Sequence, residues 1–193
     1  MSGIGHLAVG LAVKPAVSQT PLWALLLASE ANDLLYFLFT TTGLEQKVAY
    51  TMSFSQGVQH LTTGSNPWSH GFFMSIVWSL AAAGITLLLT RQRRTAGTIG
   101  LVVFSHWVLD FLMHSNLPLF FGSSPLVGIG LENSGPGFIF MTVLDLVLVA
   151  AGVSIYLVSR KAGKQGPKRS AISDRRPEIS NQQSSIRNHQ SSI

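Results

Sequence analysis

Histidine and aspartate residues recur inside the apolar segments of this chain, where polar side chains are rare. His106, Asp110 and His114 follow one another at intervals of four residues, which places them along one face of a helix with a drift of roughly 40° per step. Imidazole and carboxylate groups at this spacing can reach one cation, or the carboxylate can fix the tautomer of the imidazole. The spacing therefore predicts a metal site on this face. Interhelical hydrogen bonding without a metal is the alternative, because polar residues also hold membrane helices together.

Further candidates lie in other apolar segments, on the same side of the membrane. His70 stands near the end of its segment that is predicted to face away from the cytoplasm, which is called the outer end. Asp33 and His106 lie about 13 and 12 Å below the outer membrane surface, counted as helical rise from the outer ends of their segments. A charged group near the bilayer centre costs about 2.5 to 3.5 kcal/mol on insertion scales, so its presence indicates a functional site. We expect these groups to meet in the outer half of the membrane. The predicted metal ligands are His6, Asp33, His70, His106, Asp110 and His114.

The chemistry of this predicted site follows from the available ligands. The chain has no cysteine, so nitrogen and oxygen ligands favour zinc, manganese or iron over copper(I) or a cluster. A metal held in this way can make water a nucleophile for hydrolysis. Glu30 precedes Asp33 by one helical turn and is the predicted catalytic general base. For Asp145 we expect a structural hydrogen bond, and for His60 and His189 no role.

The segments that carry these residues have the composition and length of membrane helices. Hydrophobic residues make up 47% of the 193 residues and charged residues only 11%, against roughly 25% charged in soluble proteins. About 20 apolar residues cross the hydrocarbon layer as a helix. Four windows qualify: Pro21 to Thr40, Trp68 to Thr90, Gly97 to Met113 and Pro136 to Ser159. The sequence predicts an all-α, polytopic helical bundle of about four transmembrane helices, with the lipid bilayer as its surroundings.

Residues 3 to 18 are apolar but too short to cross the bilayer. If Lys14 reaches the cytoplasmic surface, a helix lifts His6 roughly 12 Å into the membrane, as an N-terminal re-entrant helix would. A helix lying on the cytoplasmic interface is the alternative, and both remain open. Because no basic cluster precedes the apolar core, we expect this segment to remain in the mature protein.

Basic residues fix the predicted orientation. From Arg160 onward the chain has eight Lys/Arg and two acids, while the preceding residues have five Lys/Arg and six acids. Arg91, Arg93 and Arg94 lie between the second and third spans, which predicts that both termini are cytoplasmic in a multi-pass protein of the inner or plasma membrane. Residues 1–160 form the predicted transmembrane domain, and residues 161–193 form a disordered basic tail. The tail could contact anionic lipid; without a folded reading element it does not predict nucleic-acid binding.

Four short motifs, in order along the chain, resemble a known family. They are Gly5-His6, Asn32-Asp33, Trp68-Ser69-His70-Gly71 and Ser105-His106-Trp107-Val108-Leu109-Asp110. Together they resemble the YdjM-type family of membrane-bound, predicted metal-dependent hydrolases, over about residues 1–160. The resemblance implies a multi-helix inner-membrane protein whose His and Asp residues form a metal site. The family often has Pro-Asp-x-Asp in the first span, whereas this chain has Glu30-Ala31-Asn32-Asp33, so either Glu30 substitutes for the missing aspartate or the site is weakened.

These observations predict a membrane-embedded, metal-dependent hydrolase, with a lipid or another amphiphile as substrate. An ion- or proton-coupled permease is an alternative, since intramembrane His and Asp residues also relay ions. A non-catalytic integral membrane protein, in which the same groups serve helix packing, is the third hypothesis. The chain has no Gly-rich phosphate loop, no Gly-x-Ser-x-Gly elbow and no His-Glu-x-x-His motif.

Overall fold

The protein is mostly helical. The computed structural model describes residues 3–61, 66–122 and 124–173. Their α-helices are α1 Gly3–Val13, α2 Leu22–Ser29, α3 Ala31–Thr41, α4 Phe72–Thr90, α5 Arg93–Met113 and α6 Gly135–Ser173. Two 3-10 helices cover Lys14–Val17 and Leu131–Asn133. The predicted all-α bundle is confirmed.

The long apolar helices coincide with the predicted spans. Within the described ranges, α4, α5 and α6 are long and apolar enough to cross a membrane, by length and composition. The pair α2 and α3 passes the same test when taken together, but it bends by 58° at Glu30. The count is therefore three spans, or four with this broken helix as one of them. The segment before it forms the short apolar helix α1, and its position relative to the membrane stays a prediction.

The centre of the bundle is α5. Half of its apolar window is buried, compared with 17% for those of α4 and α6. Gly100 allows α4 to approach closely, since a Cβ at this position would lie 3.0 Å from both the Ala83 Cβ and the Ser79 carbonyl oxygen. Small residues at such contacts are usual between membrane helices. The core comprises Val17, Leu25, Ala28, Ile99, Val102 and Val103.

The described parts of the segments between the spans contain two small antiparallel hairpins that the sequence pattern did not predict. Strands β1 Tyr50–Ser53 and β2 Gly57–His60 pair with Tyr50 opposite His60. Strands β3 Leu117–Pro118 and β4 Leu126–Val127 form the second pair. These segments extend from the ends of α3 and α5, so they bring loop residues to the same end of the bundle as His70 and His114.

The chain divides into two compact units, residues 1–156 and 157–193. The first contains the bundle and every residue of the sites below. In the second, α6 continues to Ser173, which overlaps the start of the predicted disordered tail. The rest of that tail, residues 174–193, lies outside the described residues, and its disorder and lipid contacts stay predictions.

Candidate metal centre

Five of the predicted ligands meet around the side chain of Asp110. His6 comes from α1, Asp33 from α3, His70 from the turn before α4, and His106 and Asp110 from α5. The imidazole Nε2 atoms of His6 and His106 lie 3.3 Å from Asp110 Oδ1 and Oδ2, respectively. The Nε2 of His70 lies 3.5 Å from Asp110 Oδ2 and 3.2 Å from Asp33 Oδ1. We call these five residues the Asp110 cluster.

The Asp110 cluster is closed on one side and open on the other. His6, His106 and Asp110 are at most 2% exposed, and the rings of His6 and His106 stack with centroids 3.7 Å apart. The side chain of Asp33, by contrast, is 43% exposed. Its Oδ1 also lies 3.6 Å from the Nε2 of His106. An ion or a small molecule would therefore reach the cluster from the side of Asp33 and His70.

The tautomer of His106 is set by the break between α2 and α3. The last carbonyl groups of a helix have no intrahelical partner, and Ser29 is the last residue of α2. Its carbonyl oxygen lies 2.8 Å from His106 Nδ1. A carbonyl can only accept, so Nδ1 carries a proton and donates it. In the neutral ring, Nε2 then presents a lone pair toward Asp110 and Asp33.

The tautomer of His70 is set by a buried chain of hydrogen bonds from Glu45. One carboxylate oxygen of Glu45 accepts the backbone N–H groups of Trp68 and Ser69 at 2.8 and 3.0 Å. Its other oxygen accepts the Ser69 hydroxyl at 2.6 Å. With its proton used in this way, Ser69 Oγ accepts from His70 Nδ1 at 2.9 Å. The Nε2 lone pair of neutral His70 therefore also faces carboxylate oxygens.

The local backbone explains how His70 reaches this position. Its N–H donates to the Asn66 carbonyl at 2.9 Å, which closes a tight turn before α4. The following residue is Gly71, where a Cβ would collide with the Pro67 carbonyl oxygen. The turn therefore requires glycine at this position and delivers His70 at the first residue before the helix cap.

The resulting electrostatics suit a cation. The Nε2 atoms of two imidazoles and the oxygens of two carboxylates point at a common volume, where they repel one another unless a proton or a metal ion lies between them. His70 Nε2 and Asp33 Oδ1, 3.2 Å apart, are at hydrogen-bond distance, which needs a proton on this nitrogen. His106 Nε2 is buried and has no hydrogen bond of acceptable geometry to any described residue. Within the Asp110 cluster, two triplets have ligand atoms within 4.8 Å of one another: His6, Asp33 and His106; and His70, His106 and Asp110. These clusters could hold a metal ion. His70 and His106 each donate the N–H group of Nδ1 to an oxygen. Histidines that bind a metal usually make such a hydrogen bond with the nitrogen that does not contact the ion.

The structure places His114 differently from the helical prediction. The helix α5 ends at Met113, and His114 has extended backbone with φ −90° and ψ 152°. Its Nδ1 lies 2.5 Å from Glu132 Oε1, and its Nε2 lies 3.7 Å from Asp110 Oδ1. His114 thus borders the Asp110 cluster but also belongs to a second group with Glu132 and His60.

Glu30, the predicted general base, occupies the break between α2 and α3. Its Oε1 is buried and has no hydrogen-bond partner among the residues described. Its catalytic role stays a prediction.

Four functional candidates were not predicted as site residues. Ser69 belongs to a motif quoted above, but only the fold shows that it links His70 to Glu45. Glu45 is 6% exposed and Glu132 is 3% exposed. Both lie outside the four apolar segments, so the sequence gives no sign that they are buried. His60, expected to have no role, lies 3.3 Å from Glu132 Oε1 through its Nε2.

A cavity of about 550 Å³ adjoins both groups. Asp33 and His70 line it on one side, and His60, His114 and Glu132 line it on another. The remaining wall is largely apolar and includes Met52, Val58, Met113, Leu117 and Phe138. Asp145 of α6 also faces this cavity. Its volume lies within the range of about 300–1,000 Å³ that is usual for small-molecule sites.

Comparison with known proteins returns no relative. No protein-family model matches the sequence, and neither the curated proteins nor the solved structures give a significant match. The resemblance to the YdjM-type family therefore rests on the four motifs alone.

Proposed function

We propose that this protein is a membrane-embedded, metal-dependent hydrolase that acts on an amphiphile, with a zinc, manganese or iron ion in the Asp110 cluster. The observation that supports this proposal best is the pair of fixed tautomers. His70 and His106 each donate their Nδ1 proton to an oxygen, so in the neutral rings both Nε2 lone pairs converge on the carboxylates of Asp33 and Asp110.

The residues that would hold the ion are His6, Asp33, His70, His106 and Asp110. A bound divalent ion supplies Lewis acidity, which makes water a nucleophile for hydrolysis near neutral pH. The side chains of His106 and Asp110 are almost fully buried, and the hydrogen bond from His106 Nδ1 to the Ser29 carbonyl orients the imidazole ring. Asp33 and His70 line the cavity, where they would be the ligands that face an entering substrate.

The cavity supports the choice of an amphiphile. Its wall combines apolar side chains with carboxylates and imidazoles, so a bound molecule would place its polar, scissile part near Asp33 and its hydrocarbon part against residues such as Met52 and Phe138. Exposed apolar side chains on the outer faces of the helices, among them Phe37, Leu88 and Leu101, indicate contact with lipid. Lipid-soluble substrates would therefore be concentrated around the protein.

The first test is the metal content of the detergent-purified protein by plasma mass spectrometry. The parent is compared with a His106→Ala/Asp110→Ala variant of equal helicity, and a Gln59→Ala variant on β2 controls for the loss of a polar side chain that is not one of the proposed ligands. We expect at least one equivalent of zinc, manganese or iron in the parent and the control, and a loss of one equivalent in the double variant.

The second test is hydrolysis of carboxylic-ester and phosphoester amphiphiles in mixed micelles. We expect turnover by the parent and at least a 100-fold lower rate for the double variant. A parent that holds no metal after reconstitution with added ions would contradict the proposal and would favour a packing role for these groups. Metal binding without turnover of either ester class would contradict the hydrolase part alone.

A further inference from the structure

We propose that His60, His114 and Glu132 form a second divalent-cation site beside the Asp110 cluster. This inference goes beyond the proposed function and does not depend on it, since none of the three residues belongs to the first cluster. His60 Nε2 and His114 Nδ1 lie 3.3 and 2.5 Å from the same oxygen, Glu132 Oε1. The ligand atoms of the three residues lie within 4.8 Å of one another.

The set of ligands is one that a catalytic zinc ion uses. Two histidines and one glutamate leave the fourth tetrahedral position open for water or substrate. Around such an ion, ligand atoms lie about 3.3 Å apart, which matches the distance between His60 and Glu132. The shorter distance between His114 Nδ1 and Glu132 Oε1 is that of a hydrogen bond. An entering ion would displace the proton between them and increase this distance from 2.5 Å to about 3.3 Å.

Three separate chain segments are held together at this point. Glu132 lies in the 3-10 helix between β4 and α6. Two hydrogen bonds hold the loop before it against the end of α5: Ile129 N donates to the Phe111 carbonyl (2.8 Å), and Gly130 N donates to the His114 carbonyl (3.2 Å). Gly57, which opens β2, packs so closely on this loop that a Cβ would collide with the Glu132 carbonyl oxygen. The hairpin that carries His60 is therefore fixed against Glu132.

The second nitrogen of His114 faces the Asp110 cluster. When Nδ1 is free to bind an ion, Nε2 carries the proton, and this atom lies 3.7 Å from Asp110 Oδ1. This separation is too long for a hydrogen bond, so Asp110 borders the second site without holding the His114 ring.

The position of the site also allows a cation to enter. The carboxylate of Glu132 is nearly fully buried, whereas the side chains of His60 and His114 are 21% and 26% exposed. All three residues line the cavity described above. The open coordination position would therefore face the same volume as Asp33 and His70, and both ions would contact one bound molecule.

The test is titration of the metal-free, detergent-purified protein with Co²⁺ and Zn²⁺, with stoichiometry from calorimetry and ligand-field spectra for Co²⁺. The parent is compared with Glu132→Gln and His60→Gln, which retain polar groups of similar size, and with Gln59→Ala as a control on the same strand. We expect two equivalents in the parent and the control, one in each site variant, and one in His106→Ala/Asp110→Ala.

The outcomes separate this inference from the proposed function. One equivalent that survives Glu132→Gln but is lost in the His106→Ala/Asp110→Ala variant would overturn the second site and leave the first. One equivalent with the opposite pattern would support the second site and contradict the Asp110 cluster as a metal site. Loss of both ions in Glu132→Gln, at unchanged helicity and elution volume, would overturn the assignment of a separate second site. No bound ion in the parent would refute both sites.

Discussion

Replacing Ser69 by alanine should weaken metal binding at the Asp110 cluster without removing any ligand. The Ser69 hydroxyl is fully buried and lies between Glu45 Oε2 at 2.6 Å and His70 Nδ1 at 2.9 Å. Alanine retains the backbone and the Cβ, but it provides neither the donor to Glu45 nor the acceptor for His70. The His70 ring is then free to rotate or to move its proton to Nε2, the atom that faces Asp33 and Asp110.

The size of the effect follows from the contacts that are lost. Removing a group that orients a metal-bound histidine usually lowers metal affinity about 10- to 100-fold, which corresponds to about 1.4 to 2.7 kcal/mol of binding free energy. Two buried polar groups also lose a partner, at about 1 to 3 kcal/mol each in the free energy of unfolding. We therefore expect weaker binding together with lower stability in the metal-free protein.

The measurement is a competition between the protein and a chromogenic chelator for Zn²⁺, made in the Glu132→Gln background so that binding at the Asp110 cluster is observed by itself. Ser79→Ala is the matched control. Ser79 is also a buried serine of this region, but its hydroxyl donates to the Ser75 carbonyl within α4 and not to a proposed ligand. We expect the control to retain the parent affinity within about two-fold, well under 1 kcal/mol.

An unchanged Zn²⁺ affinity in Ser69→Ala would refute the reasoning, because it would mean that the chain from Glu45 does not hold the tautomer of His70. Equal losses in Ser69→Ala and Ser79→Ala would refute it as well, since a general loosening of α4 would then explain both.

Two further predictions concern the bundle and the predicted base. Gly100→Leu should lower the free energy of unfolding by about 1 to 3 kcal/mol, because a Cβ at this position lies 3.0 Å from Ala83 and from the Ser79 carbonyl. Thermal melting in detergent measures this loss. The control is Gly97→Leu, which should have a much smaller effect because a Cβ there meets no atom within 4 Å. Glu30→Gln should reduce the hydrolysis rate about 10²- to 10⁴-fold, as expected for loss of a general base, while the metal content stays at the parent value. A hydrolysis rate within about three-fold of the parent rate would exclude Glu30 as the base.

Much of the fold could be predicted from local properties. The length of an apolar helix is fixed by bilayer thickness, so α4, α5 and α6 could be located from composition, and only the bend at Glu30 divides the first predicted span. The positions of His106 and Asp110 on one face of α5 follow from helical periodicity. For His114 periodicity is not sufficient, because α5 ends one residue earlier and its Nδ1 lies against Glu132, while its Nε2 stays 3.7 Å from Asp110.

The sequence by itself determined which residue types lie in the apolar segments, and hence that nitrogen and oxygen ligands are available without any thiolate. Only the tertiary structure decided which of their atoms face one another. The carbonyl of Ser29 accepts from His106 because a helix break leaves it without an intrahelical partner, and Glu45 reaches His70 from a loop more than 20 residues away. Periodicity describes neighbours along one helix, whereas the tautomer of a histidine depends on which distant oxygen packs against its other nitrogen.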